Sequence, residues 1–254
     1  MTRSRRSTEV KIVRDNPALN QMAAQEFERV AQSAIAQRGR FSVALSGGNT
    51  PRGVYSLLAE EYKTAIPWER VHVFFGDERH VPPDHPDSNF RMAHESLLSR
   101  VPIPQANIHR VRAELDANSA ADDYEDQLRT FFHLAEQDWP AFDLIFLGLG
   151  DDGHTASLFP GSTALDEVLR PVAANWVEKF QSFRITVTFP VLNHGKHVLF
   201  LVSGTGKSEI LSQVLRPGRN QYPAQRVQPV NGRLMWLVDQ DAGKLLRLTN
   251  PTIS

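Results

Sequence analysis

The residues FDLIFLGLGDDGHTASLFPG, Phe142 to Gly161, decide the fold. Leu144 to Leu147 is an unbroken apolar run of strand length, which is how a strand buried on both faces of a parallel sheet reads. Gly148, Gly150 and Gly153 then interrupt it and admit backbone conformations that other residues resist. Among these glycines stand Asp151, Asp152 and His154. In an open α/β sheet the crevice outside the carboxyl ends of the strands is where ligands bind. The loop therefore suspends an acid pair and an imidazole over the expected active site, and His154 is the residue expected to do the chemistry.

Working outward, other strand-sized apolar runs end in polar loops of the same kind. Phe41 to Leu45 is followed by Ser46-Gly47-Gly48-Asn49, and Thr50-Pro51 reads as an N-cap with proline at the first helical position. A glycine-rich turn feeding a helix N-terminus presents unpaired N–H groups and the positive end of the dipole, which suit a phosphate; a plain capped turn is the alternative. Val71 to Phe75 leads into Gly76-Asp77-Glu78-Arg79-His80, whose four successive ionisable side chains argue against packing residues. His197 to Val202 leads into Ser203-Gly204-Thr205-Gly206-Lys207-Ser208 and a helix from Glu209 to Leu215. A lysine in the first turn of a helix opposes the dipole by about 0.3–1 kcal/mol, so Lys207 is better explained by an anion beside it.

The remaining elements fill in the α/β alternation. Val10 to Val13 reads as an edge strand, and a helix runs from Asn16-Pro17 to about Gln37, stopped by Gly39. Asp87-Ser88 reads as a cap for a helix over Asn89 to Leu98, after a loop from Val81 to Pro86 that holds three prolines. Asn107 to Val111 reads as a short strand and Asn118 to Leu134 as a polar surface helix with Asp122, Asp123, Glu125 and Asp126 in solvent. Arg184 to Phe189 alternates as a half-buried strand, Leu234 to Val238 is the last strand, and Asp241 to Leu246 the last short helix. Met1 to Ser7 carries three arginines but no apolar stretch after them, so a flexible tail over residues 1–8 and a single domain over 9–254 are expected.

Composition narrows the function classes. A chain of 254 residues buries a large core without staples, and it has no cysteine, which removes disulfides, thiolate metal sites and a cysteine nucleophile and suits a reducing cytoplasm. A net charge of −1 provides no global field for nucleic acid or an acidic membrane. No apolar run approaches the roughly 18–20 residues of a membrane helix. No nucleic-acid or membrane partner is expected.

Several motifs match only in part. Gly148-Leu149-Gly150-Asp151-Asp152-Gly153 satisfies G-x-G-x-x-G after a strand, but the two aspartates would repel a pyrophosphate and Pro160-Gly161 stops any helix within about two turns. Gly206-Lys207-Ser208 resembles the end of a P-loop, yet Leu201 stands where that motif needs its first glycine. His80, His85, His94 and His154 have no zinc-site spacing, so no metal and no cofactor are expected. No G-x-S-x-G elbow occurs. Two phosphate cradles and a histidine flanked by carboxylates leave a small phosphorylated substrate and direct activation of water by His154, with Asp152 fixing its tautomer or raising its basicity.

The blocks Ser46-Gly47-Gly48-Asn49-Thr50-Pro51, Asp77-Glu78-Arg79 with Asp87-Ser88-Asn89, Asp152-Gly153-His154-Thr155-Ala156-Ser157-Leu158-Phe159-Pro160, Arg184-Ile185-Thr186, and Gly204 with Lys207 together resemble the 6-phosphogluconolactonase family, from about residue 10 to 247 and in that family's order. The resemblance implies a Rossmann-like α/β fold: an open, mostly parallel sheet flanked by helices, as in the glucosamine-6-phosphate deaminase and ribose-5-phosphate isomerase-like group. It implies metal-free hydrolysis of a phosphorylated sugar lactone, that of 6-phosphogluconate, in the pentose phosphate pathway; a cytoplasmic location is expected, and the sequence leaves the oligomeric state open between monomer and weak dimer. It implies that His154 is the base, that Ser46, Gly47, Gly48, Asn49 and Thr50 form the phosphate loop, and that Arg79, Arg184 and Lys207 hold the phosphate or the oxyanion. Asp77 and Asp152 are expected to orient His154 or the sugar hydroxyls. Asn49 replaces the serine usual in the family, and Glu178 to Phe183 differs from its proline-flanked lysine, which leaves Lys179 without an assigned role. An amino-sugar-phosphate isomerase or deaminase, or a non-catalytic sugar-phosphate sensor, is the alternative; the first would need a carboxylate soon after His154, and Thr155 to Pro160 has none.

Overall fold

The computed structural model describes residues 8–216, 218 and 221–246. Of the tail expected over residues 1–8, residues 1–7 lie outside them, and Thr8 belongs to the first strand instead. In chain order the elements are β1 (Thr8–Val13), α1 (Asn16–Arg38), β2 (Phe41–Leu45), α2 (Asn49–Glu61), β3 (Val71–Phe75), β4 (Asp77–Arg79), α3 (Asn89–Ala93), α4 (Ala117–Phe132), β5 (Leu144–Leu147), β6 (Val172–Val177), β7 (Ser182–Val187), α5 (Phe189–His194), β8 (His197–Val202), α6 (Ser208–Val214) and β9 (Arg233–Asp239). The local signals account for the first of them. The Asp15 side chain caps α1 by accepting the Ala18 N–H at 2.9 Å, Pro17 sits in its first turn, and Gly39 ends it at φ 72°.

Six strands form one sheet in the order β1-β9-β8-β5-β2-β3, all neighbours parallel. Strand β2 lies beside β5, with Val43 opposite Leu144, while the chain runs outward to β3 on one side and to β8 and β9 on the other. The β2/β5 boundary is thus the topological switch point, where loops leaving adjacent strands part and open a crevice. Two of the loops singled out in the sequence, after Leu45 and after Leu147, leave from it.

Each central strand is buried on both faces, and its alternate residues feed two cores. Val43, Leu45 and Phe146 pack with Leu19, Phe27, Leu58 and Trp68 under α1 and α2; Ala44, Ile145 and Leu147 pack with Tyr124, Leu128 and Leu211 under α4 and α6. Burying each of the larger apolar side chains contributes about 1.5–3 kcal/mol. Two tyrosines finish the strands that carry site loops. Tyr55 Oη donates to the Ser46 carbonyl at 2.8 Å and accepts its N–H at 3.0 Å, and Tyr124 Oη does the same for Phe75 at 2.9 and 2.7 Å. Burial pushes both phenols up, so they stay neutral donors.

The structure departs from the sequence expectations in several places. A second, three-stranded antiparallel sheet, β4-β7-β6, was not foreseen. Asn107 to Val111 makes only a single bridge, Val73 to Ile108, in place of a strand. Asp241 to Leu246 forms turns in place of a helix. Phe189 opens α5 and does not extend β7, because Thr188 is pinned by its hydroxyl to the Arg170 carbonyl at 2.7 Å. Glu125 is buried against Arg129 and Arg170, both at 2.9 Å, while Asp122 and Asp126 of the same helix are exposed. No helix among the described residues is long and apolar enough to cross a membrane.

Candidate active site

A cleft of about 670 Å³ opens over the switch point. Loops after β2, β5 and β8 supply its walls, and the small sheet closes it from the side, bringing in Arg79 from β4 and Arg184 from β7. His154, Ser46, Gly47, Gly48, Asp77, Arg79, Arg184 and Lys207 of the expected residues line it.

The loop after β5 is folded around His154. The Gly150 N–H donates to the His154 carbonyl at 2.9 Å and the Gly153 N–H to the Gly150 carbonyl at 3.0 Å. A Cβ on Gly150 would lie 2.0 Å from the His154 ring, so only glycine leaves space for the imidazole. Asp152 Oδ1 accepts the His154 backbone N–H at 3.1 Å and lies 2.5 Å from Nδ1. With Nδ1 engaged, Nε2 is the nitrogen left to exchange a proton. Burial pulls the Asp152 carboxyl upward, but its hydrogen bonds with His154 and the charges of His154 and Lys179 outweigh this and hold it below the usual carboxylate range. It is therefore an anion at neutral pH. Asp152 does not itself line the cleft; it backs the histidine.

Phe159 packs against the imidazole with ring centroids 4.0 Å apart and the planes tilted by 30°, and Phe180 meets Phe159 edge-on at 5.7 Å. The sequence reading assigned these aromatics nothing, and only the Phe-Pro ending of the loop marked one of them. Lys179, left without a role by the sequence, places Nζ 3.5 Å from the outer oxygen of Asp152.

The loop after β2 is shaped for an anion. Ser46 is 6 % exposed, and its Oγ has no hydrogen-bond partner among the described residues, a rare state for a buried hydroxyl that a ligand oxygen would relieve. A Cβ on Gly47 would fall 1.9 Å from Asn89 Oδ1, and Gly48 stands at φ 106°. Gly48, not Thr50, is the N-cap of α2: Asn49 and Thr50 already lie inside the helix, and neither side chain lines the cleft. They contribute the first turn of the helix, whose end attracts anions through its N–H groups.

Arg79 and Arg184 stand directly opposite each other across the β4/β7 ladder. Like charges so placed repel. Their hydrogen bonds run to neutral oxygens, from Arg79 Nη1 to the Asp87 carbonyl at 2.6 Å and from Arg184 Nη1 to Ser182 Oγ and the Phe183 carbonyl, both at 3.3 Å. Burial first, and the Arg79 charge second, hold Arg184 below the usual guanidinium range. Two partly desolvated cations facing each other over a cleft are what a dianion would satisfy. Lys207 does have an anion beside it, but the anion is Asp151, with Nζ 2.5 Å from Oδ1.

Two of the charged residues after β3 are structural. Glu78 is 2 % exposed and accepts the N–H groups of Arg79, Asn89 and Phe90 and the Ser88 hydroxyl, so it caps α3 and stays out of the cleft. His80 Nε2 bonds the Leu115 carbonyl at 2.7 Å. Asp77 does not touch His154: its Oδ2 accepts from Ser157 Oγ at 2.6 Å, and its carbonyl accepts from Asn89 Nδ2 at 2.9 Å. Among the described residues no group of three or more His, Asp or Glu side chains is arranged to hold a metal ion.

Comparison with known proteins places the chain in a family and a fold. The sequence profile of the glucosamine-6-phosphate isomerases/6-phosphogluconolactonase family matches residues 14–236. The chain is 49 % identical over 217 residues to a 6-phosphogluconolactonase of Synechocystis sp., covering 84 % of this chain and 88 % of that one. It is similar in structure to a 6-phosphogluconolactonase from Trypanosoma cruzi, with TM-score 0.85 and 29 % identity over 94 % of this chain and 97 % of the other. A monomeric glucosamine-6-phosphate deaminase, 18 % identical over 93 % of this chain and 99 % of its own, shares the fold with TM-score 0.77.

Proposed function

The chain belongs to the glucosamine-6-phosphate isomerase/6-phosphogluconolactonase family, and from that premise we propose that it hydrolyses 6-phospho-D-glucono-1,5-lactone to 6-phospho-D-gluconate in the oxidative pentose phosphate pathway. The single observation that carries the mechanism is the His154–Asp152 contact, which leaves one imidazole nitrogen free at the cleft. The Ser46–Thr50 loop and the opposed Arg79 and Arg184 anchor the phosphate. Nε2 of His154 takes a proton from water as its oxygen attacks the lactone carbonyl. Asp152 stabilises the imidazolium that forms.

The tetrahedral intermediate carries its negative charge on the former carbonyl oxygen, and Arg79, Arg184 and Lys207, with backbone N–H groups, supply positive charge for it and for the phosphate. Collapse breaks the bond between C1 and the ring oxygen, which takes the proton back from Nε2. The product acid then ionises, and the imidazole is returned neutral. Every step is completed by water and one histidine.

A comparison of three substrates tests this reading. The protein should hydrolyse the 6-phosphorylated lactone far above its spontaneous rate, turn over the unphosphorylated lactone only with a much higher KM, and release no ammonia from glucosamine 6-phosphate. Equal KM values for the two lactones would remove the phosphate site, and ammonia release would move the chain to the deaminase side of its family.

A further inference from the structure

The loop that holds His154 is braced from behind by a segment outside the cleft. A Cβ on Gly153 would lie 2.5 Å from Cδ1, 2.7 Å from Cβ and 2.8 Å from Cγ of Tyr222, so the Gly153 α-carbon rests directly on that ring. Two residues on, the Ala224 N–H donates to the Gly153 carbonyl at 3.0 Å. The brace is itself tied to α6. Tyr222 Oη donates to Gln213 Oε1, Gln225 Nε2 donates to the Val214 carbonyl at 2.9 Å, and Gln225 Oε1 accepts the Tyr222 N–H at 3.0 Å. Helix α6 starts at Ser208, immediately after Lys207. One short strap thus joins the helix that follows the cation to the loop that presents the base.

We infer that Tyr222 is a positioning residue, whose ring sets the height of Gly153 and thereby the approach of His154 to the substrate carbonyl. The inference rests on His154 acting as the base. The loop has no regular secondary structure behind His154 to do this work. Its internal bonds, from the Gly150 N–H to the His154 carbonyl and from the Gly153 N–H to the Gly150 carbonyl, close it on itself; its ties to the small sheet come only after His154, where Ser157 bonds Asp77, Thr186 and Asn175, so on the Gly153 side the support is Tyr222 and Ala224. Gly153 at φ 77° cannot be replaced by a larger residue that would wedge the loop in place. Tyr222 also lines a separate cavity of about 410 Å³, which gives the ring room to withdraw if the contact is loosened. A displacement of about 1 Å at a catalytic group costs on the order of 100-fold in rate.

The test measures kcat and KM for 6-phosphogluconolactone in the wild type and four variants, with His154→Ala as a control for the base. Tyr222→Ala should lower kcat about 10- to 100-fold and leave KM within about twofold, because the phosphate contacts are on other loops. Tyr222→Phe keeps the ring and should retain kcat within about twofold. Gly153→Ala should lose activity by collision with the ring, and adding Tyr222→Ala to it should cost less than the product of the two single losses, since two of the three close contacts of the new methyl, with Cδ1 and Cγ, leave with the ring and only that with Cβ stays. If Tyr222→Ala does not fold, Tyr222→Leu is read in its place. Unchanged kcat in Tyr222→Ala, equal losses in Tyr222→Ala and Tyr222→Phe, or losses that multiply in the double variant would each overturn the inference. If His154→Ala keeps full activity, the base assignment fails, whatever Tyr222 does.

Discussion

Replacing Asp152 by asparagine separates two ways in which a carboxylate can serve a histidine. Oδ1 of Asp152 accepts both the His154 backbone N–H, at 3.1 Å, and the proton on Nδ1, at 2.5 Å, while Oδ2 faces Lys179 Nζ at 3.5 Å. An amide has one oxygen. Turned toward His154 it keeps both accepted bonds and sets its NH2 against Lys179, whose side chain is 58 % exposed and able to swing away. Turned the other way it sets NH2 against two donors. The first arrangement wins, so the tautomer survives and only the charge is lost. Charge-assisted hydrogen bonds contribute about 1.5–3 kcal/mol and neutral ones about 0.5–1.5, a difference of about 1–1.5 kcal/mol or roughly tenfold in rate. Steady-state kinetics on Asp152→Asn should therefore show kcat/KM about tenfold lower. A loss near 10⁴-fold, the scale of a histidine trapped in the wrong tautomer, would refute the orientation argument, and an unchanged rate would refute the pair.

Two further outcomes follow from the same geometry. Arg184→Gln should raise KM about 10- to 100-fold by removing a charged phosphate contact, yet raise the melting temperature of the ligand-free protein slightly, because Arg79 loses the like charge opposite it; a fall in both would show that the arginines support each other. His109 lies 3.3 Å from His72 and stacks on Phe74 at 4.2 Å, and burial, followed by the His72 charge, pushes it down to about 4. Its folded value is below its unfolded one, so stability present above about pH 6.5 is lost as pH falls toward 4, by about 1 kcal/mol between pH 7 and 5 after discounting for partial exposure. Denaturant titrations should show a flatter pH dependence for His109→Phe than for the wild type, and identical slopes would count against the assignment.

The parallel sheet was legible because its strands are buried on both faces and so are written as apolar runs, such as Leu144 to Leu147. The loops at their carboxyl ends were legible through glycine and charge. Strand β4 was hidden because its three residues, Asp77, Glu78 and Arg79, are charged, and nothing in the local sequence announces that Glu78 is buried under three backbone N–H groups and a serine hydroxyl. Burial raises the Glu78 carboxyl, those donors oppose the rise, and both effects come from residues ten or more positions away as well as from its neighbour Arg79. The dipole argument at Lys207 correctly required an anion, but Asp151, 56 residues earlier, meets it only through the fold. The Arg79/Arg184 opposition likewise depends on a strand register between segments about a hundred residues apart, which no local pattern encodes.

Hydrolysis of freshly generated 6-phosphogluconolactone, followed by NMR at neutral pH without protein, with the wild type and with His154→Ala, tests His154 as the base of a lactonase most directly. Rapid loss with the wild type and loss near the spontaneous rate with a folded His154→Ala is the expected result. Spontaneous rates with the folded wild type, or full activity without the imidazole, would contradict it.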